Sequence, residues 1–361
     1  MTEERVLQRA AFLAFSNCEN LEDVTFQKNE DHNAVTTAVN VNGSLINMTV
    51  RIYHPLVFYR IRKKLKITND EALDEIKHGD FKVSELAGLY DEGNFYSDRE
   101  RIMMHGLTKD GGEVFISTFA AYSQHVLGQK MTLLPSNLAF IKIETSTKLR
   151  IKSPYFEIQR SIFPRQSHDY MFFFDLKGAV QRKPPRDGEF LNDTDLTWEH
   201  EVSFPQEERN KLLTALHDDV QFLESINSTN YSLTLAITKR KIETSLQLPG
   251  KPYGPDENED EQEERKKTLP IRHDIANGAK AIRADLVPKP RFCDEHPEWE
   301  YYFGLSSTLT PFKTKAKIAR AFRIALGSKG DEISNMPSHE YGERFMAFMG
   351  EKIFPSYFEE K

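Results

Sequence analysis

A run of charged residues interrupts this chain and limits how it can fold. Between positions 256 and 267 the sequence has seven acidic residues, three basic residues and no apolar one. Such a segment cannot bury enough apolar area to offset the entropy lost when its backbone is ordered. We therefore predict a disordered acidic insert at about 248–290, with the core built from the residues on either side.

Length and composition allow one large core or two modest lobes. The chain has 361 residues, of which 39% are hydrophobic and 29% charged, and its formal net charge is −7. This balance argues against a nucleic-acid partner. Cys18 and Cys293 form neither a disulfide framework nor a metal-ligand pattern, so we predict no metal site. No signal-peptide pattern or membrane-spanning window is present, and a cytoplasmic protein is expected.

Hydrophobic periodicity predicts several regular elements. Helices are expected at 7–15, 113–126 and 207–226. The segment 51–65 is interpreted as a helix that starts near Pro55 and carries a basic face. Strands are expected at 94–104, 138–143, 155–158, 170–174 and 231–238.

Five short motifs point to a family. Three of them are Phe174-Asp175-Leu176-Lys177-Gly178, Asn230-Tyr231-Ser232-Leu233 and Gly304-Leu305-Ser306-Ser307-Thr308-Leu309. They resemble the DLKGS, DYSLL and G-I-I-D-I-L blocks of the phosphatidylinositol phosphate kinases. Thr132-Leu133-Leu134-Pro135 and Tyr341-Gly342-Glu343-Arg344-Phe345 resemble the family's T-L-L-P and Y-x-x-R-F. The resemblance runs in the correct order over about residues 45–350.

This resemblance implies a two-lobed α+β kinase-like fold. The N-terminal lobe, at 1–160, would contain an antiparallel sheet with helices. The C-terminal lobe, at 161–361, would contain a mixed sheet with helices, the acidic insert and a basic segment at 312–330. A nucleotide would bind between the lobes.

The residues that should perform phosphoryl transfer are replaced at three positions. The reaction needs positive charge on the nucleotide phosphates, carboxylate-bound Mg²⁺ and a carboxylate that orients the attacking hydroxyl. By resemblance, His105 takes the place of the nucleotide lysine, and a shift of one residue would place Met104 there. Asn230 and Ser307 take the places of two aspartates. Catalysis is therefore expected to be lost or very weak, unless Lys109 or a nearby acid substitutes.

Other candidate site residues are retained. The nucleotide- or phosphate-binding candidates are Gly93, Asp175 and Lys177. Alternatively, Asp175 and Lys177 pair with neighbouring residues and hold the lobe together. A structural role is also expected for Asp193-Thr194-Asp195, which resembles the family's D-x-D. ATP and Mg²⁺ are the ligands that the family implies, and the replacements predict that neither is firmly held.

A basic amphipathic segment at 312–330 corresponds to the family's activation loop. Its membrane- or lipid-binding candidates are Lys313, Lys315, Lys317, Arg320 and Arg323. Such a surface suits an anionic bilayer, and the alternative is a solvated basic face. An extension of this surface is considered at Arg60, Arg62, Lys63, Lys64 and Lys66.

Three functions are compatible with this sequence. The first is a pseudokinase that acts as a phosphoinositide- or membrane-binding module or as a protein scaffold, peripherally associated with the membrane. Its partner would be an active lipid kinase or a second copy of this chain. The second is an active ATP-dependent phosphatidylinositol phosphate kinase with atypical catalytic residues. The third is a protein-interaction domain that binds neither lipid nor nucleotide.

Overall fold

Two sheets with helices packed against them form an α+β fold in this computed structural model. The residues that it describes are 2–16, 32–41, 43–77, 81–83, 94–97, 101–145, 153–162, 170–179, 191–196, 204–239, 299–310 and 336–354. The helices are α1 (Thr2–Ser16), α2 (Pro55–Lys64), α3 (Asn69–Lys77), α4 (Lys109–Gly128), α5 (Gln206–Ser225) and α6 (Ser338–Phe348), which continues into a π-helical turn at Met349–Ile353.

The larger sheet has seven antiparallel strands in the order β1-β2-β6-β7-β5-β4-β3. Their bounds are β1 (His32–Val41), β2 (Ser44–Tyr53), β3 (Lys82–Val83), β4 (Asn94–Tyr96), β5 (Ile102–Leu107), β6 (Asn137–Thr145) and β7 (Tyr155–Arg160). Side chains on one face pack beneath α1 and α3 in a core of aliphatic and aromatic residues. Alternating burial along β2 follows from the two-residue period of a strand.

The other face of the larger sheet carries α4. This helix begins where the Thr108 side chain accepts a hydrogen bond from the Gly111 amide at 3.1 Å. Its first turn lies close to the sheet, because a Cβ on Gly112 would come within 2.3 Å of the Tyr155 ring. Its last turn is capped by Lys64 of α2, whose Nζ donates to three backbone carbonyls, those of Val126, Leu127 and Gln129.

The smaller sheet has three antiparallel strands in the order β10-β9-β8. These strands are β8 (Tyr170–Leu176), β9 (Ser232–Lys239) and β10 (Trp299–Ser306). A single bridge between Phe174 and Leu191 adds a parallel pairing beside β8. A mixed sheet of parallel and antiparallel strands was predicted for this lobe. Within the described residues, that bridge is the only parallel pairing in the smaller sheet.

One hydrophobic cluster joins the two sheets. It contains Phe140 and Tyr155 of the larger sheet together with Leu233 and Leu305 of the smaller one. The Leu305 amide also donates to the Leu133 carbonyl at 2.7 Å. The two sheets with their helices are the two lobes of the fold.

A fully buried carboxylate reinforces the joint between the lobes. Asp219 of α5 is 0% exposed. It accepts hydrogen bonds from His125 Nε2 of α4 at 2.6 Å, Thr132 Oγ1 at 2.7 Å and the Leu133 amide at 2.5 Å. The His125 ring also stacks on Phe222, with 4.8 Å between centroids. We call this set of contacts the Asp219 site.

Most predicted elements are present with shifted ends. The helices predicted at 7–15, 113–126 and 207–226 lie within or overlap α1, α4 and α5. The stretch at 94–104 contains parts of two strands, and 51–65 divides between the end of β2 and α2. The acidic insert and the basic segment lie outside the described residues. The boundary between the lobes at 160 stays a prediction.

Candidate functional site

The smaller sheet brings several predicted site positions to one end. β8 and β10 end where β9 begins, because Leu233 of β9 lies opposite both Leu176 and Leu305. The flanking residues therefore lie at the same sheet end. We call this the strand-end site and define it by Asp175, Lys177, Asn230 and Ser307.

Asn230 and Ser307 both have a left-handed backbone. Their φ angles are +61° and +55°. Asn230 is half-buried and Ser307 is exposed. Asparagine and aspartate adopt this conformation more readily than other residues with a Cβ, because their short polar side chains bond locally. An aspartate at either position is therefore compatible with the observed backbone.

Hydrogen bonds tie the segment before β9 to the segment after β10. The Thr229 amide donates to the Thr310 carbonyl at 2.8 Å, and the Ser228 hydroxyl donates to the Thr308 carbonyl at 2.6 Å. Thr310 Oγ1 also donates to the Ser307 carbonyl at 3.2 Å. The two neutral positions are thus held in place by the surrounding backbone.

Hydroxyl groups fill the adjacent part of the sheet. The Ser306 and Ser232 hydroxyls are 2.9 Å apart, and Thr234 Oγ1 donates to Ser306 Oγ at 2.8 Å. Ser306 and Ser232 lie directly opposite each other in the β9–β10 register. This part of the sheet therefore presents neutral groups.

The Asp175–Gly178 block satisfies its charges internally. Lys177 Nζ lies 2.8 Å from Asp175 Oδ2, in agreement with the alternative that these residues pair with neighbours. Asp193 accepts backbone hydrogen bonds from Lys177 and Gly178 at 2.8 and 2.9 Å and from Ala179 at 3.2 Å. Burial raises the pKa of the Asp193 carboxyl, and the three amides oppose that rise. Asp193 thus has the structural role predicted for it.

Helix α6 supports the same block. Gly178 has φ +65°, and a Cβ there would lie 3.1 Å from Phe348 Cβ. The Tyr341 hydroxyl donates to the Tyr231 carbonyl, and the Arg344 guanidinium lies 5.3 Å from the Tyr341 ring centroid. Burial raises the pKa of Tyr341, so this hydroxyl stays a donor. The motif at 341–345 therefore fixes the backbone beside the strand-end site.

A second polar group lies on the larger sheet. His105 of β5 is directly opposite Asn94 of β4 and Glu157 of β7. Its Nδ1 is 2.5 Å from Asn94 Oδ1. We call Asn94, His105 and Glu157 the polar row. Met104 points to the opposite face, where it is 0% exposed in the core beneath α1 and α3, so a shift of one residue would not place it in the row.

The charged residues at the start of α4 face solvent. The Glu113 side chain is 57% exposed, and its Oε1 lies 3.9 Å from Lys109 Nζ. Lys109 is more exposed still. The structure therefore pairs Lys109 with Glu113 on the helix surface, and this pairing gives no support to Lys109 as a substitute for the replaced lysine.

Glu157 is the site residue that sequence reasoning missed. Its side chain is 4% exposed and accepts hydrogen bonds from Asn137 Nδ2 at 3.1 Å and Gln159 Nε2 at 3.2 Å. Burial raises its pKa to about 7, and the two amides moderate that rise. Glu157 and Gln159 alternate with Phe156 and Ile158, so the sequence already placed both polar side chains on one strand face.

Comparison with known proteins identifies the family. A family model described as Phosphatidylinositol-4-phosphate 5-Kinase matches residues 87–352. The chain belongs to the phosphatidylinositol phosphate kinase family. It is 23% identical over 322 residues to phosphatidylinositol 5-phosphate 4-kinase type-2 alpha of Mus musculus, covering 82% of this chain and 76% of that protein. It is 22% identical over 364 residues to the type-2 gamma protein of Danio rerio, covering 87% and 81%.

Family membership confirms the resemblance and the two-lobed α+β fold, but several predicted site residues stay predictions. Gly93 lies outside the described residues, as do Lys313, Lys315, Lys317, Arg320 and Arg323. The assignment of His105, Asn230 and Ser307 to the catalytic positions of a phosphatidylinositol phosphate kinase likewise stays a prediction.

The structure corrects the proposed extension of the basic surface. Arg62 is buried and donates to the Leu138 carbonyl at 2.5 Å and to Asn69 Oδ1 at 3.1 Å. Lys64 caps α4 as described above. These two cations are therefore part of the N-terminal lobe's internal structure. In the segments that the structure describes, no helix has the length and apolar character to span a bilayer.

The strand-end site does not fit the Mg²⁺ ion that a phosphatidylinositol phosphate kinase would use with ATP. Mg²⁺ prefers carboxylate oxygens in near-octahedral geometry. Asn230 supplies an amide, Ser307 a hydroxyl, and the Asp175 carboxylate is paired with Lys177. Across the described ranges, no three His, Cys, Asp or Glu side chains group so as to hold a metal ion.

Proposed function

We propose that this chain is a pseudokinase of the phosphatidylinositol phosphate kinase family that binds phosphoinositide-containing membranes or scaffolds other proteins. The observation that carries the proposal is the neutral character of the strand-end site. Asn230 and Ser307 lie at one sheet end with the Asp175–Lys177 ion pair, where the family requires carboxylates.

The expected loss of rate is large. A positioned general base typically contributes about 10²–10⁴ to a rate, and an amide at Asn230 cannot accept the proton. Loss of the Mg²⁺-binding carboxylate and of the phosphate-binding lysine acts on the same step. Because such groups work as a unit, their combined removal costs on the order of 10⁶ in rate.

Lipid binding is supported by family membership and by the sequence of 312–330. The relatives' names describe kinases of phosphatidylinositol 5-phosphate. The basic segment contributes six Lys or Arg residues with no acidic residue among them. Each such charge near an anionic bilayer adds about 1 kcal/mol to binding.

An active kinase with atypical residues is the second candidate. The observation that favours it is Asp175, a carboxylate that remains at the strand-end site and is 33% exposed. If Asp175 served as the missing acid, it would have to leave Lys177 when nucleotide binds.

A kinase assay separates these two candidates. The native chain is incubated with labelled ATP, Mg²⁺ and phosphatidylinositol monophosphate vesicles, beside Asn230→Asp/Ser307→Asp and His105→Lys/Asn230→Asp/Ser307→Asp. We expect no labelling above background from the native chain and measurable labelling from the triple variant. Robust headgroup labelling by the native chain, abolished by Asp175→Asn, would establish the second candidate.

Vesicle flotation tests the lipid-binding half of the proposal. We expect the native chain to float with phosphoinositide vesicles and Lys313→Glu/Lys315→Glu/Lys317→Glu to stay in solution. The matched control reverses three exposed lysines elsewhere, Lys109, Lys211 and Lys352. If the native chain does not float, the protein-interaction alternative replaces membrane binding.

A further inference from the structure

The polar row lies on the side of the larger sheet that faces the smaller sheet. Phe140 and Tyr155 share the strand face of Glu157, and both belong to the cluster that also contains Leu233 and Leu305. Glu157 itself is 4% exposed, but it lies directly opposite the half-buried His105, so its charge acts on a ligand bound against His105 without touching that ligand.

The hydrogen-bond donors to Glu157 are neutral. Its carboxylate accepts from the side-chain amides of Asn137 and Gln159. Amides stabilise a carboxylate but do not cancel its charge. Ionised Glu157 thus adds a negative charge at a position where access to solvent is small.

Three titratable or charged groups face Glu157 from the neighbouring elements. His105 lies opposite it on β5. Tyr122 of α4 has its pKa raised, mainly by burial and in part by the Glu157 charge, so it stays neutral. Lys142 shares the face of β6, but its Nζ is 2.7 Å from Glu144 Oε1. Lys142 is thus paired with Glu144, and His105 is the residue on β5 directly opposite Glu157.

We infer that Glu157 makes this face of the larger sheet discriminate against phosphate, so that a nucleotide binds more weakly with each phosphate it carries. This inference rests on the proposed function, because it concerns the site at which the family binds nucleotide. It also predicts that a lysine at position 105 restores phosphate binding only in part, since Glu157 would pair with it.

The physical basis is charge repulsion with little water to screen it. Two like charges several ångströms apart at a partly buried site change an affinity by tenfold or more. The replacement of lysine by histidine removes an attraction, whereas Glu157 adds a repulsion. Specificity against a competing ligand commonly uses such a repulsive element.

The test compares His105→Lys with His105→Lys/Glu157→Gln by calorimetric titration with adenosine, ADP and ATP, each with Mg²⁺, at pH 8. We expect the double variant to bind ATP at least about tenfold more tightly and to bind adenosine within about twofold of the single variant. Glutamine preserves the side-chain shape, so a change that grows with phosphate number reports charge. The control is Glu207→Gln in the His105→Lys background, which removes an exposed carboxylate from α5, outside the larger sheet.

A pH series in the native histidine background gives a second readout. There the carboxyl pKa is about 7, so Glu157 is mostly protonated at pH 6 and ionised at pH 8. The ATP affinity of the native chain should therefore approach that of Glu157→Gln at pH 6 and fall below it at pH 8. Glu157→Gln corrects for protonation of ATP and of other groups in the protein.

The inference would be overturned if the single and double variants had equal ATP affinity at pH 8. The absence of measurable ATP binding by both variants counts as that outcome. Equal gains for adenosine and ATP would also overturn it. The proposed function fails on different evidence, namely lipid phosphorylation by the native chain.

Discussion

Two buried carboxylates in this molecule have opposite surroundings. Asp219 joins α4, α5 and the segment that starts at Thr132, and it accepts three hydrogen bonds of 2.5–2.7 Å, one of them from His125. Glu157 accepts two bonds of 3.1 and 3.2 Å from amides. Burial raises the pKa of Glu157, and its two amide donors only moderate that rise.

This difference separates a structural acid from a candidate functional one. A buried carboxylate with a complete set of donors stabilises the fold, and removing it leaves several polar groups unsatisfied. A buried carboxylate with a strongly raised pKa is a functional-site candidate. By this criterion the Asp219 site holds the lobes together, and Glu157 of the polar row is the candidate functional acid.

Loss of the structural acid should give the largest effect. Asp219→Ala removes the acceptor of three hydrogen bonds and is expected to lower the free energy of unfolding by about 3–5 kcal/mol. Urea unfolding followed by circular dichroism measures it. Asp218→Ala, one residue earlier on α5 and paired only at 3.9 Å with His217, should cost less than about 0.5 kcal/mol. Equal effects of the two changes would contradict the structural role of Asp219.

Replacing the other carboxylate should stabilise the fold at high pH. The pKa of Glu157 is about 7 in the folded chain against 4.5 for an ordinary glutamate, so the folded state holds an extra proton between these values. The stability of the native chain should fall by about 2–3 kcal/mol as the pH rises through that interval.

Glu157→Gln lacks this proton, and its stability relative to the native chain should rise by the same amount between pH 5 and pH 8. Unfolding midpoints measured across the pH range give the comparison. Glu144→Gln on the same sheet serves as the exposed control. A native-to-variant difference that does not change with pH would show that Glu157 does not titrate in this range.

One donor to Asp219 can be removed with a smaller effect. Thr132→Val keeps the side-chain shape but deletes a hydroxyl that donates to Asp219 at 2.7 Å and accepts from the Leu134 amide at 3.1 Å. We expect a loss of about 1–2 kcal/mol in the free energy of unfolding. Thr118→Val on the surface of α4, whose hydroxyl bonds within its own helix, is the matched change. Comparable losses for both would show that the Thr132 bond to Asp219 stabilises the fold no more than a hydrogen bond within one helix.

The smallest expected effect concerns a donor to Glu157. Gln159→Leu removes the amide 3.2 Å from the carboxylate, and the carboxyl pKa should therefore rise further. The pH interval over which the free energy of unfolding changes should move upward by less than about one unit. At pH 6 the free energy of unfolding should change by less than about 1 kcal/mol. A downward movement would show that this amide does not stabilise the ionised form.

Local sequence patterns predicted long elements well. Helix α5 was expected because Leu212, Leu216, Val220 and Leu223 repeat at helical spacing, and all four are buried. The short helix α3 was not predicted, although Thr68 and Glu71 at its start form a capping box that is visible in the sequence. The strand pairing of β10 was not predicted either. The family resemblance supplied the fold class that periodicity alone did not.

Side-chain environment was the part that sequence could not supply. Arg62 was considered as an extension of the basic surface because it lies among other cations, yet its partners are Asn69 and the Leu138 carbonyl, which is 76 residues away. Glu157 was overlooked because burial of its strand face depends on α4. For Asn230 and Ser307, resemblance proposed their roles, and the β9–β10 register adds that both lie at one sheet end.

Helix α4 is held most firmly at its C-terminal end, so any rotation of the helix would be centred there. Lys64 holds its last carbonyls and Asp219 holds His125 in the same turn, while the other end meets the Tyr155 ring through the bare backbone of Gly112. A helix rises 1.5 Å per residue, so Gly112 is about 20 Å from His125 along the axis of α4. A rotation of about 5° at His125 would therefore move the start of α4 by roughly 2 Å across the larger sheet.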